Sequence, residues 1–524
     1  MNCAERISES NIPLSTFHFP NSTFHFPNST FRFPNSNMQS RFTELIVTNN
    51  LLAILLALGI GCALALIFAA AVAFSSPAIV IAGLVALAAG AIIMTNIEYG
   101  LYAVLGIAIL LPFASIPVNL GFNPTFLDLA LLALFAMWFA RAMTRQDENI
   151  ERKFQFTFLG APVIAFMVLA IFSFVIGMSH AGLQQQIVRQ FAEILLAIAT
   201  FFLIVNVVNT RARLERVVRL IIIAGSVSAV LGILFYFLPH DLTIRTLSLL
   251  RYVKYPDGPG VLRFINDDPA GTLRAVSTSV DPNVLGGLMI LMAGLTAPQI
   301  FAVKKLLPRW IIFGSVAAMF LCLVLTFSRG AFLGFGVSLV VIAFFKYRRL
   351  LPILAVGAIL FWFIPITQEY ISHLLDAFAG ADRATQMRLG EYQDAFTLIS
   401  RYPIFGVGFL GSPDLDTYIG VSSVYLLMAE QMGLVGVAVF LLTMGIFFYR
   451  ALLAWLDGLK NDATLSPILL GVCAALIGAM TAGVVDHYFF NLDFPHSVTL
   501  FWIFVGLGVT SMLLYQPEAT LPNV

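Results

Sequence analysis

The chain has 524 residues, 59% of them hydrophobic and 11% charged, with a formal net charge of +1. A mean hydropathy of +0.91 means more apolar surface than a soluble core can hide, so the excess must face lipid. This excludes a soluble globular domain, and so neutral a balance gives no sign of a nucleic-acid partner.

The tail at residues 1–50 contains a seven-residue repeat, STFHFPN, STFHFPN, STFRFPN, between positions 15 and 35. Its regular Pro prevents a helix, three copies are too few for a solenoid, and the composition is not that of a signal peptide. The tail reads either as a disordered extension or as a Phe-bearing binding segment. Met38 offers an alternative start that would remove the repeat.

From residue 51 onward, continuous apolar runs recur, each long enough to cross a hydrocarbon core of roughly 30 Å as a helix. A barrel would show short alternating segments instead. The spans fall near 51–73, 78–95, 100–117, 125–143, 158–179, 189–208, 216–238, 283–302, 309–327, 330–346, 350–366, 421–449, 466–485 and 497–515. The predicted fold is therefore all-α: a polytopic transmembrane bundle of about 12–14 spans with two long outer-face loops carrying short helices. Residues 51–182 form its N-terminal helices, 183–515 its main membrane domain and 516–524 a C-terminal tail.

With both termini in the cytoplasm, most of the 29 Lys and Arg fall on inner segments, as the positive-inside rule requires. Of the four cysteines, Cys62, Cys322 and Cys473 lie in spans and Cys3 in the tail. No outer loop can be stapled by a disulfide, and no cysteine pair has metal-ligand spacing. Neither a metal nor a cofactor is expected.

His180, His240, His373, His487 and His496 all map to the outer face, where an imidazole could exchange protons at neutral pH. The first long outer loop, 239–282, mixes Arg245, Arg251, Lys254, Arg263 and Arg274 with five aspartates. It ends in Asp281-Pro282-Asn283, a helix start with an acidic cap and Pro at the first turn. The cap is either purely structural or leaves backbone N–H groups facing an anion. The short turn Thr326-Phe327-Ser328-Arg329-Gly330 places an arginine between two spans, where it must pair, snorkel or bind an anion.

The second long loop, 367–420, is net acidic but keeps Arg383, Arg388 and Arg401. Leu389, Tyr392, Phe396 and Ile399 recur at helical spacing, predicting an amphipathic helix at the membrane surface. Arg388 is either an anion ligand or a local salt-bridge partner of Asp382, Glu391 or Asp394. The last outer loop, 484–496, sets Asp486 beside His487 within an aromatic run, as a carboxylate–imidazole pair or as an interfacial belt with incidental polar residues. Asp128 and Glu193 sit near the outer ends of spans with no partner evident from the sequence. Glu430 lies deeper, either as a site residue or as helix packing.

The order Asp281-Pro282-Asn283, Thr326-Phe327-Ser328-Arg329-Gly330, Arg388, Tyr402-Pro403-Ile404-Phe405-Gly406-Val407-Gly408, Tyr425-Leu426 and Glu430-Gln431-Met432-Gly433-Leu434-Val435-Gly436 resembles the O-antigen ligase and polymerase-like membrane protein family. The likeness covers roughly residues 185–515. It implies a metal-independent membrane glycosyltransferase without cofactor, acting in polysaccharide assembly in the bacterial inner membrane. Its partners would be membrane lipids, an undecaprenyl-diphosphate-linked glycan donor, and a lipid or glycan acceptor hydroxyl on the outer side. Arg329 and Arg388 match the arginines that grip the donor diphosphate, with Arg274 and Arg401 as secondary candidates. Ligases of the family carry a His-Asn pair just before the Tyr-Leu, with the His as proton acceptor; Ser422 and Ser423 stand there instead. His487 with Asp486 is then the candidate catalytic pair. A transporter or lipid flippase, or a non-catalytic scaffold, is the alternative; charged or broken helices at mid-membrane and internal repeats would mark the first.

Overall fold

The computed structural model describes residues 96–116, 122–144, 154–265, 268–363, 383–413 and 420–515. The tail repeat, the two spans predicted within 51–95, Cys3, Cys62 and His373 lie outside the described residues. Twelve of the expected spans fall on described residues, and each is a helix.

In chain order these helices are α1 (Ile97–Leu110), α2 (Phe126–Thr144), α3 (Gly160–Gly177), α4 (Gln185–Val207) and α5 (Arg211–Phe237). A short surface helix, α6 (His240–Ser248), precedes α7 (Pro282–Thr296), α8 (Arg309–Leu325), α9 (Arg329–Phe345) and α10 (Leu350–Phe363). The amphipathic α11 (Arg383–Arg401) is followed by α12 (Val424–Leu456), α13 (Leu465–Ala482) and α14 (Pro495–Leu513). Among the described residues, seven of these are long and apolar enough to cross a membrane: α3, α4, α5, α12, α13, α14, and α7 with the turn after it. The apolar α1, α8 and α9 are shorter. The sole described sheet is a two-residue ladder, β1 (Arg263–Phe264) antiparallel to β2 (Leu273–Arg274), which closes the loop before α7. The protein is an all-α polytopic membrane bundle.

Helices α7, α13 and α14 are apolar all round, and that composition puts them in the centre, where almost every residue of α7 and α14 is buried. Between helices in lipid, close packing replaces the hydrophobic effect as the driving force, so small residues sit at the crossings. Gly334 of α9 faces Gly478 of α13, and Ser338 Oγ donates across the same seam to the Ala474 carbonyl at 2.9 Å. Gly294 of α7 lies against the Ala475 backbone, where a Cβ would stand 2.9 Å from Cα.

Charged groups sort to the two ends. At one end Glu98 binds Arg213 (2.7 Å) and Arg216 (2.8 Å), Lys304 binds Glu215 (2.7 Å), and Arg211 binds Asp462 (2.9 Å). We call this the basic end. The opposite end holds the N-termini of α7, α9, α12 and α14, with Arg274, Arg329, Arg388, Asp486 and His487.

Asp128 and Glu193, partnerless in the sequence, share Arg189: its Nη1 lies 2.7 Å from Asp128 Oδ2 and 2.9 Å from Glu193 Oε2. Thr125 closes the network, its N–H donating to Asp128 at 2.7 Å and its hydroxyl to Glu193 at 3.3 Å. All three charged side chains are nearly inaccessible, so the ions are tolerated only as a set. Removing one partner of a buried ion pair costs about 3–5 kcal/mol, because the remaining charge is stranded. Arg189→Ala should therefore lower the unfolding temperature sharply in detergent, and adding Asp128→Asn with Glu193→Gln should recover most of the loss. An unchanged melting curve for Arg189→Ala would refute this reading of the network.

Candidate functional site

The turn between α8 and α9 is built by its own side chains. Thr326 Oγ1 donates to the Leu323 carbonyl (2.6 Å) and accepts from the Ser328 N–H (3.3 Å), while Ser328 caps α9 by accepting from Ala331 N–H. Phe327 sits at φ +51°, a left-handed conformation that costs a bulky residue energy. The turn thereby places Arg329 at the first position of α9, half-buried.

A second tight start lies beside it. Val280 is also left-handed, at φ +61°, and Asp281 then caps α7 through Asn283 N–H (2.7 Å) and Val284 N–H (3.0 Å). The Asp281 cap thus occupies the orphan N–H groups that the sequence left open to an anion. Arg274 joins the two starts: its Nη2 donates to Asn283 Oδ1 (2.7 Å) and its Nε to the Thr326 carbonyl (2.8 Å). The Asp-Pro-Asn and Thr-Phe-Ser-Arg-Gly motifs are one unit, clipped by an arginine that the sequence placed among the ligand candidates.

The loop between α13 and α14 packs onto this unit. A Cβ on Gly330 would stand 3.1 Å from Val485 Cγ2 and 3.9 Å from Asp486 Cβ, so the first turn of α9 packs on this loop. The Tyr488 ring covers Gly287 of α7 so closely that no side chain would fit there. Burial pushes the Tyr488 phenol well above its usual range, and the Asp486 and Asp281 charges push the same way. Burial also raises the Asp486 carboxyl; the charges of Arg388 and His487 oppose this, and that of Asp281 adds to it. Arg388 thus acts on Asp486 from the α11 side, and the first turn of α9, which begins at Arg329, packs near it through Gly330.

The proposed carboxylate–imidazole pair adjoins this point in an unexpected geometry. His487 Nδ1 lies 3.8 Å from Asp486 Oδ1, beyond hydrogen-bond reach, and Oδ1 instead accepts the His487 backbone N–H at 3.0 Å. The imidazole is 28% exposed and its Nδ1 is buried with no hydrogen-bond partner.

Helix α11 reaches the same place. Its bundle face is Arg388, Glu391, Tyr392, Ala395 and Leu398, whereas Leu389 and Phe396, predicted on the same face as Tyr392, are exposed. Glu391 Oε2 accepts both the Ser422 hydroxyl (2.8 Å) and its N–H (3.0 Å), and Tyr392 OH donates to the Ser422 carbonyl at 3.4 Å. Ser423 then caps α12 through Leu426 N–H, and Val424 N–H donates to the Asp486 carbonyl at 3.0 Å. From the sequence, Glu391 is only one of three possible salt-bridge partners of Arg388; in the structure it binds Ser422. It was one acidic residue among several in a loop, and no spacing rule linked it to Ser422.

The remaining candidates separate from this cluster. Arg401 ends α11 on an exposed position, thirteen residues and so about 20 Å along the axis from Arg388. Glu430 is buried at the kink of α12, where its backbone carbonyl accepts Val407 N–H at 2.8 Å. His496 is fully buried edge-on against Phe113, with ring centroids 5.0 Å apart, and His180 Nε2 lies 3.3 Å from the Gly411 carbonyl. No group of three or more metal-ligating side chains occurs among the described residues.

Fold and site together define a multi-pass helical membrane protein with arginines and carboxylates gathered at one end of the bundle. Residues 314–441, from α8 through the first half of α12, match the family described as O-Antigen ligase, which supports the O-antigen ligase and polymerase-like family for this chain. With that family goes ligase- or polymerase-type glycan transfer in cell-surface polysaccharide assembly. No curated protein matches the chain.

Proposed function

We propose that the protein transfers a glycan from an undecaprenyl-diphosphate carrier to an acceptor hydroxyl at the outer face of the bacterial inner membrane. The observation that carries this reading is that Arg388, acting on Asp486, and the start of α9 that bears Arg329 meet the same α13–α14 loop at one end of the bundle. Guanidinium groups bind phosphate oxygens as planar forks, and a leaving diphosphate gathers charge as the glycosidic bond breaks. Fixed arginines therefore stabilise the transition state more than the bound donor. Asp486 would hold Arg388 in place before the donor arrives. The ion pairs gathered at the basic end support placing that end in the cytoplasm and the site outside.

The acceptor hydroxyl must lose a proton, and two groups at this end are chemically able to take it. One is His487 beside Asp486, the pair suggested by the sequence; the other is Glu391. Proteoliposomes holding the purified chain and a synthetic polyprenyl-diphosphate glycan test the whole reading. Product should form with release of the polyprenyl diphosphate, and EDTA should not stop it. Donor movement between leaflets with no product would instead favour a flippase.

If His487 is the base, His487→Ala should lower transfer by about 10²-fold or more, the scale of a lost general base. Full transfer by His487→Ala would remove it from that role.

A further inference from the structure

We propose that Glu391, held by Ser422, is the base that receives the proton of the acceptor hydroxyl. This rests on the glycan-transfer reading above and names the group that completes it. Three features of the structure carry it.

The first is orientation. A general base must present a lone pair in a fixed direction. Both Ser422 donors bind Oε2, the hydroxyl at 2.8 Å and the N–H at 3.0 Å, so one oxygen is anchored and Oε1 can meet the acceptor. Ser422 is itself fixed, its carbonyl taken by Tyr392 and its neighbour Ser423 capping α12. His487 has no equivalent support: the nearest carboxylate atom is 3.8 Å from Nδ1 and is already taken by a backbone N–H.

The second is placement relative to the leaving group. Glu391 follows Arg388 by three residues on α11, so the two side chains are neighbours on one helix face, about 5–6 Å apart at Cβ. A rigid helix therefore sets the distance between base and diphosphate ligand. Arg388 would hold the phosphate oxygens while Glu391 faces the opposite partner of the reaction, the acceptor.

The third is the chemistry of position 422. A serine cannot take up a proton at neutral pH, but it can donate a hydrogen bond that orients a carboxylate. Here Ser422 does the second, and an ionised carboxylate is acceptor-only.

The step balances. The acceptor oxygen forms a bond to the anomeric carbon, and the bond from that carbon to the diphosphate oxygen breaks. The electron pair leaves on the polyprenyl diphosphate, held by arginine. The hydroxyl proton passes to Glu391 and then to solvent, which restores the carboxylate.

The test uses the full chain in proteoliposomes with a photo-crosslinkable polyprenyl-diphosphate glycan, scoring donor occupancy and transfer separately. Glu391→Gln is expected to keep donor crosslinking while turnover falls by about 10²–10⁴-fold, the range for losing a general base. Glu391→Asp, which keeps the carboxylate, should recover part of that turnover. Ser422→Ala should lower turnover by about tenfold at unchanged donor occupancy, and the exposed Gln393→Ala should match the unsubstituted protein. Turnover of Glu391→Gln within threefold of the unsubstituted protein would overturn the proposal, as would loss of donor crosslinking in that variant. If instead the unsubstituted protein crosslinks the donor but forms no product, the fault lies with the glycan-transfer reading itself.

Discussion

Arg329→Ala and Arg388→Ala are each expected to cut glycan transfer by about 10²–10³-fold, the scale of losing one preorganised group that meets developing charge. Both residues sit at helix starts or on helix faces that are fixed by other contacts, so their loss should not unfold the protein. Arg329 is placed by the Thr326–Ser328 turn and the Ser328 cap, none of which involves its side chain. Arg388 belongs to a helix anchored through Tyr392, Ala395 and Leu398. Lysine at either position keeps the charge but loses the planar fork, and should restore only part of the rate. Arg401→Ala is the internal comparison, since it lies on the same helix about 20 Å from Arg388 and should change transfer little. The Asp486 carboxyl supplies a second readout. Burial raises it and the Arg388 charge pulls it down, so removing Arg388 must move it further up. A pH profile in which Arg388→Ala shifts no ionisation, with transfer intact, would take Arg388 out of the site.

Much of this arrangement was legible in the sequence, and what was not has a common cause. The apolar runs gave twelve helices that the structure contains, because a helix that must satisfy its own backbone in lipid announces itself by length. Asp281 as a cap and Pro282 at the first turn of α7 were readable for the same local reason. Side-chain roles set by distant partners were not readable. Arg274 looked like a ligand candidate, yet its donors serve Asn283 and Thr326, nine and 52 residues away. Arg189 meets Asp128 across 61 residues, a pairing that no local spacing reveals. The face of α11 was misjudged at Leu389 and Phe396, since a helix at a membrane surface has two apolar contacts, bundle and lipid, and hydropathy alone does not tell them apart. The Glu391–Ser422 contact crosses the second long loop and follows no spacing rule.

The Tyr402–Gly408 and Glu430–Gly436 segments gave the same difficulty. As motifs they carried only family likeness; in space each completes the other. Helix α12 breaks at Gly433, with φ +69° and ψ −178°, a conformation essentially confined to glycine. The break removes the helical bonds from Leu434 and Val435, whose N–H groups turn instead to the Pro403 (2.8 Å) and Ile404 (3.4 Å) carbonyls. The freed carbonyls of Glu430 and Gln431 accept from Val407 (2.8 Å) and Gly408 (3.0 Å). Ser173 Oγ of α3 also donates to the Gln431 carbonyl and, at 3.1 Å, to that of Phe405. Two intrahelical bonds are thus exchanged for four to the inserted loop, which satisfies the backbone where water is scarce.

Gly433→Ala is accordingly expected to be among the most damaging single-methyl changes in the protein. The left-handed backbone alone costs a non-glycine residue about 1–3 kcal/mol. The new Cβ would also run into the Ile404 carbonyl, and Gly406, at φ +67°, has no room against the Glu430 carbonyl to let the loop retreat. Losing the exchange strands up to four backbone groups, each worth several kcal/mol in an apolar surrounding. The variant should show a much lowered melting temperature in detergent and new proteolysis between Arg401 and Ser412. Gly445→Ala, on the same helix with open space around its Cβ position, should be neutral or slightly stabilising. Transfer should fall with Gly433→Ala as well, because the inserted loop lies between α11 and α12 in the chain and so helps to set Glu391 against Ser422. If Gly433→Ala melted and transferred like Gly445→Ala, the exchange would not be what holds the inserted loop to α12.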